Sequence, residues 1–198
     1  MSSDIDVAGD RAIPTALPFA TEETYLHATA RAREEELVTM LSVRIGHEVY
    51  GLPTEAVREI IKLVEITEVP RMPAFMLGVI SVRGAIIPVI DLRVRLALTV
   101  APHGRGTRIV IVTSARNQRF GLLVDGVVGL EKFRAKEIEP TPSVFGAGRA
   151  GAERYIGGLG RAIETTGRIV VFVELEPLID IRDELRRHRL ASREHGQP

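Results

Sequence analysis

The chain carries the same β-rich pattern twice, and that repeat restricts the fold more than any other feature. Tyr50-Gly51-Leu52 is followed by Pro70 and Pro73 and then by two apolar runs, Leu77 to Val82 and Ile86 to Leu92, joined at Arg83-Gly84. Ile109-Val110-Ile111-Val112, a turn from Ser114 to Gln118 and Phe120-Gly121-Leu122 begin the second copy, which continues through Pro140 and Pro142 to Tyr155–Ile163 and Ile169–Leu175. The copies agree down to the acid-Leu pair that closes each, Asp91-Leu92 and Glu174-Leu175. A repeat of this kind implies two similar small units rather than one sandwich. Short strands that close on themselves leave few exposed edges, so the expected architecture is mainly β, with two small barrels. The barrels are placed roughly at 37–100 and 105–175, with the glycine-rich spacer Ala101 to Gly106 between them and Val38 to Ile45 open to exchange.

Leu41, Val43 and Ile45 alternate with polar residues, as a half-buried strand requires, and Gly46-His47-Glu48 turns the chain into Val49–Leu52. Pro53-Thr54-Glu55 is expected to open a short helix through Ala56, Val57, Ile60 and Ile61, because proline suits the first helical turn. Arg83-Gly84 marks a tight hairpin, with glycine supplying a positive φ. Residues 1–36 read as an N-terminal arm, sparse in apolar residues up to 20 and helical from Thr21 to Leu37. Leu178, Ile181 and Leu185 space out a C-terminal helix packed on a barrel, and residues 186–198 read as a frayed tail.

Charge and chemistry narrow the function. Lys+Arg and Asp+Glu are equal at 26 each, and nine aromatic side chains with no Trp offer no stacking platform, so nucleic acid is not an expected partner. Residues 1–40 carry a net charge of −5, and 23 of the 26 basic residues are Arg, which suits bidentate contact with carboxylates on a protein. With no cysteine there is no disulfide, thiolate metal site or thiol nucleophile. The five histidines (His27, His47, His103, His188, His195) share no metal spacing, so neither a metal nor a cofactor is expected. Gly146-Ala147-Gly148-Arg149-Ala150-Gly151 fits the dinucleotide pattern in letters only, because no strand leads into it and no helix follows. Asp91 and Glu174 are read as strand-end caps rather than an acid–base pair, and no serine has an evident base. The expectation is a non-catalytic binding module. The acidic start lacks an apolar core and no run of 18 apolar residues exists, so a cytoplasmic chain without membrane insertion is expected.

Leu77-Gly78-Val79-Ile80-Ser81-Val82-Arg83-Gly84-Ala85-Ile86-Ile87-Pro88-Val89-Ile90-Asp91-Leu92-Arg93 closely resembles the signature hairpin of the CheW family, the bacterial chemotaxis coupling proteins. Tyr50-Gly51-Leu52, Val57-Arg58-Glu59-Ile60, Val69–Pro73, Phe120–Val127 and Tyr155–Gly160 follow in family order, so the likeness spans about 37–185. The resemblance implies two SH3-like five-stranded barrels and no catalysis. It implies an adaptor that joins the cytoplasmic tips of methyl-accepting chemoreceptors to the regulatory domain of the CheA-type histidine kinase, recruited to membrane-associated arrays. Receptor contact would fall on Val57, Glu59 and Arg83, while Gly78, Gly84 and Gly126 would be structural turn glycines. Where the family has Asn-Leu-Arg-Gly this chain has Ser81-Val82-Arg83-Gly84, so a side-chain amide is missing at the hairpin. The length leaves no room for a receiver, phosphotransfer or ATPase domain, which fits a stand-alone coupler. The competing expectation is another β-barrel binding module, for a small ligand or nucleic acid, without a role in chemotaxis.

Overall fold

The computed structural model describes residues 36–140, 151–165 and 167–182. The expected arm 1–20, the helix up to residue 35, most of the glycine-rich loop at 146–151 and the tail from 183 lie outside them. Among the described residues eleven strands form two sheets: β1 (Leu37–Ile45), β2 (Glu48–Pro53), β3 (Val57–Lys62), β4 (Met76–Val82), β5 (Ala85–Asp91), β6 (Arg108–Thr113), β7 (Arg119–Val124), β8 (Gly126–Arg134), β9 (Glu139–Pro140), β10 (Ile156–Arg161) and β11 (Ile169–Val173). Two short helices, α1 (Leu92–Arg95) and α2 (Leu175–Ile179), follow β5 and β11 at matching places in the repeat.

The strands do not group as 37–100 and 105–175. One sheet runs β8-β1-β2-β11-β10-β9 and the other β3-β6-β7-β5-β4, so each copy of the repeat gives its first hairpin to the other copy's sheet. The connections explain the exchange. Only Asp125 separates β7 from β8, and a single residue cannot reverse the chain into a hairpin, so the chain runs on into the other sheet. The 3-10 turn Thr54–Ala56, flanked by extended residues, does the same between β2 and β3.

Neither sheet is a continuous hydrogen-bonded ring, so the expected barrels are not closed, and only the connecting chain joins the edges of each sheet. After β8 the 3-10 turn Ala135–Glu137 leads into β9, which pairs with β10 at the far end of the same sheet. After β3 the chain reaches Thr67, which bridges to Val79 of β4 with N–H···O distances of 2.9 Å in both directions. In this way each sheet curls back on its own far edge, and the first carries a sixth strand of two residues.

The helix expected from Pro53 stops after one 3-10 turn, and Val57–Lys62 is strand β3, with half-buried and exposed residues alternating along it. The three apolar residues of these six, Val57, Ile60 and Ile61, fit either period, and pairing with β6 decides for the strand. β6 is buried on both faces: Ile109 and Ile111 enter a core inside the second sheet, while Val110 and Val112 enter the large core between the sheets. The first sheet has its own smaller core, where Phe133 and Phe172 meet edge to face with centroids 4.8 Å apart.

Candidate partner-binding groove

The β4–β5 hairpin turns on Arg83 and Gly84, with φ of 49° and 80°. Positive φ at both central residues is what a two-residue hairpin matched to strand twist requires. Glycine takes that conformation freely and arginine does not, so Arg83 occupies a place where its backbone is disfavoured. Its Nη2 donates to Glu59 Oε2 at 2.9 Å, and the Arg83 side chain stays 81% exposed against 27% for Glu59. This bond engages one of the five N–H donors of a guanidinium. An exposed pair of this sort contributes about 0.2–1 kcal/mol, too little to explain a strained turn by stability alone.

Glu59 is held on β3 just past a register shift between Val57 and Glu59, the kind of bulge that re-aims side chains. On either side of it, Val57 and Ile60 line a cavity of about 420 Å³ with Thr39, Leu41, Thr54 and Leu130. These residues come from β1 and β8 of the first sheet, β3 of the second and the turn between the sheets, so the cavity lies on the seam. Ile60 and Leu130 are 41% and 65% exposed, a high exposure for large apolar side chains. The structure thus joins Glu59 and Arg83 directly and places Val57 in the neighbouring apolar hollow. Leu130 escapes the sequence reading because β8 itself was not foreseen, although Val127, Glu131 and Phe133 alternate along it.

The three glycines differ. Gly78 has φ 141°, and a Cβ there would stand 2.1 Å from the Thr67 carbonyl oxygen, so the Thr67–Val79 bridge depends on it. Gly84 has φ 80° with open space around it. Gly126 is corrected: its backbone is not in the positive-φ region, and a Cβ would meet only the Arg44 guanidinium, 2.9 Å away. The bulge between β1 and β8 brings the positive φ to Gly129 instead.

A buried polar network lies behind the crossover between the sheets. Arg93 is 1% exposed and donates to both Asp91 oxygens, at 3.1 and 2.9 Å, to Asp125 at 3.3 Å and to the Ala101 carbonyl at 2.5 Å. His103 Nδ1 lies 3.2 Å from Arg93 Nη2, and because a guanidinium only donates, that nitrogen is the acceptor. The hydrogen bond to Asp91 raises the Arg93 pKa above its ordinary value against the opposing effect of burial. Asp91 also accepts from the Arg93 backbone N–H and caps α1, in line with the capping role, whereas Glu174 stands at the start of α2 without a side-chain cap bond. The helix expected over Leu178, Ile181 and Leu185 is interrupted: α2 stops at Ile179, Arg182 is helical again, and Leu185 lies outside the described residues. Arg95, stacked between Phe75 and Tyr155, donates to the carbonyls of Pro177, Leu178 and Asp180 and satisfies the end of α2.

Among the described residues no group of three or more His, Cys, Asp or Glu could hold a metal ion, and no helix is long and apolar enough to cross a membrane. The class that this fold and groove define is an SH3-like β scaffold with a strained, charged hairpin tip beside an apolar hollow at the seam of its sheets. A family model described as a CheW-like domain matches residues 39–183. The chain is 34% identical over 151 residues to "Chemotaxis protein CheW" of Rhizobium meliloti, covering 76% of this chain and 89% of that one. It is 33% identical to "Protein FrzA" of Myxococcus xanthus over 65% of this chain and 76% of that one. The crystal structure of scaffolding protein TtCheW from Thermoanaerobacter tengcongensis superimposes with a TM-score of 0.65 at 30% identity, covering 74% of this chain and 95% of that one. The chain belongs to the CheW-like family.

Proposed function

We propose that this chain is a non-catalytic chemotaxis-type adaptor that seats a chemoreceptor tip in the seam groove and couples it to a CheA-type histidine kinase. Family membership and relatives named for chemotaxis support the scaffold role, and with it recruitment to receptor arrays. The observation that carries the receptor seat is Arg83, held by Glu59 at 2.9 Å yet exposed, beside the apolar cavity that contains Val57. A receptor tip is a helical hairpin, and an apolar hollow with a charged edge suits a helix laid in a groove. Pairing with the kinase regulatory domain through the ends of the barrels leaves this groove open for the receptor.

The test is binding of Arg83→Glu, Glu59→Arg and the double exchange to a purified receptor tip, with a melting curve for each. If the receptor hydrogen-bonds Arg83 in a desolvated contact, losing that partner costs about 2–5 kcal/mol, or roughly 30-fold or more in affinity. The double exchange rebuilds the internal pair with its charges reversed, so receptor binding should stay weak while kinase binding survives. Recovery of receptor binding in the double variant would show that the pair acts only within the fold.

A further inference from the structure

Every N–H of the buried Arg93 guanidinium is spent. Nε donates to Asp91 Oδ1, and Nη1 to the Ala101 carbonyl and to Asp125 Oδ1. Nη2 donates to Asp91 Oδ2 at 2.9 Å and to His103 Nδ1 at 3.2 Å, which uses the last of the donors. Of these acceptors only the imidazole is of a kind that ordinarily changes charge between about pH 5 and 8. His103 is exposed, so solvent protons reach it, and it lies in the loop that joins the two repeats. Ala101 to Gly106 are all exposed there. Arg93 grips this stretch at Ala101 and His103, and Arg108 Nη1 holds the Arg105 carbonyl at 2.9 Å. Beyond His103 a turn closes, with the Gly104 N–H on Thr107 Oγ1 at 3.0 Å and the Thr107 N–H on the Gly104 carbonyl at 3.1 Å.

We infer that His103 is a proton-operated latch on this loop: neutral, it seats Pro102 to Gly106 against Arg93, and protonated, it lets them go. A protonated Nδ1 carries a hydrogen, so two donors and two positive charges would stand where one bond of 3.2 Å now runs. The charged groups around the place do not offset that. Asp91 at the end of β5 and Asp125 after β7 are already bonded to Arg93. Arg44 of β1, whose Nη2 would stand 3.5 Å from a Cβ at Gly106, adds positive charge, as do Arg105 in the loop and Arg108 of β6. The imidazolium therefore turns out into water and the loop loosens from Pro102 onward, while the sheets and the bond to Ala101 stay. The inference is independent of whether the seam groove binds a receptor.

The test is amide hydrogen exchange of the full chain, read by mass spectrometry on the fragment 97–107 and corrected for the intrinsic pH dependence of exchange. Between about pH 8 and about pH 5.5 the protection of that fragment should fall at least about ten-fold, as for the loss of one hydrogen bond to a charged group, while β6 stays protected. His103→Asn sets an amide oxygen where Nδ1 stands and does not titrate, so its loop should stay protected at both pH values. His103→Ala should be unprotected at both. His47→Asn, at the other histidine among the described residues, should respond as the parent does. Melting curves confirm that each variant is folded. A parent loop equally protected at both pH values, a fall that survives in His103→Asn, a fall shared by β6, or a protected loop in His103→Ala would each overturn the inference.

Discussion

Arg83 holds a left-handed backbone conformation that costs a residue with a Cβ about 1–2 kcal/mol, and its exposed pair with Glu59 returns less than that. Arg83→Gly should therefore match or exceed the parent in denaturant midpoint, by up to about 1 kcal/mol, while losing receptor binding. A clear loss of stability would mean that the arginine serves the fold. The glycines should rank by what surrounds them. Gly78→Ala forces a Cβ onto the Thr67 carbonyl and should be the most damaging, at about 3 kcal/mol or more. Gly84→Ala should cost about 1 kcal/mol from its φ alone, and Gly126→Ala should cost least, because Arg44 can swing aside. Urea titrations of the three variants check that order. The hairpin and its arginine were legible because Arg83-Gly84 interrupts two apolar runs. The contact with Glu59 was not derivable from spacing, because 24 residues separate the partners.

Among the elements, α1 and the crossover at Asp125 depend on one buried guanidinium. Arg93 binds Asp91 at the end of β5, Asp125 between β7 and β8, and the loop at Ala101, while Asp125 accepts from the Gly46 N–H at 2.7 Å in the β1–β2 turn. Arg93→Met should cost about 3–5 kcal/mol, because it leaves the Asp91 carboxylate buried without its partner. A loss below about 1 kcal/mol in chemical denaturation would show that the network is slack. Near the chain's described end, the Arg182 hydrogen bonds hold the Asp180 carboxyl well below the usual carboxylate range. A depressed carboxylate stabilises above its unfolded value, about 3.9, and that contribution is lost as pH falls further. Asp180→Asn should accordingly lower the melting temperature slightly near neutral pH, because the pair is exposed, and flatten its fall below about pH 4 by the same small amount. Strand β3 shows where local reading fails: Val57 to Ile61 satisfies helical spacing, and only the distant β6 settles the matter.

The whole molecule is an exchange of hairpins between two copies of one motif. The repeat was visible because Gly51 and Gly121 stand where a parallel strand crosses, opposite Phe172 and Val89. The exchange was legible only as an opening for Val38 to Ile45, because either grouping buries the same apolar residues and only the short links at Thr54–Ala56 and Asp125 decide. Fragments covering residues 36–102 and 103–182 should each lack a cooperative transition alone and regain one when mixed. An isolated fragment that melts cooperatively would contradict the interlocked topology.

The central claim, a receptor seat at the seam of the two sheets, is tested most directly by cross-linking, for which a chain without cysteine is well suited. Ile60→Cys and Leu130→Cys, on opposite sides of the seam cavity, and Ile169→Cys, on β11 outside it, would each be mixed with a receptor-tip hairpin carrying one cysteine and oxidised. The account predicts cross-links at positions 60 and 130 that excess unlabelled receptor tip suppresses, and none at 169. A cross-link at 169 with none at 60 or 130, in folded variants, would contradict it.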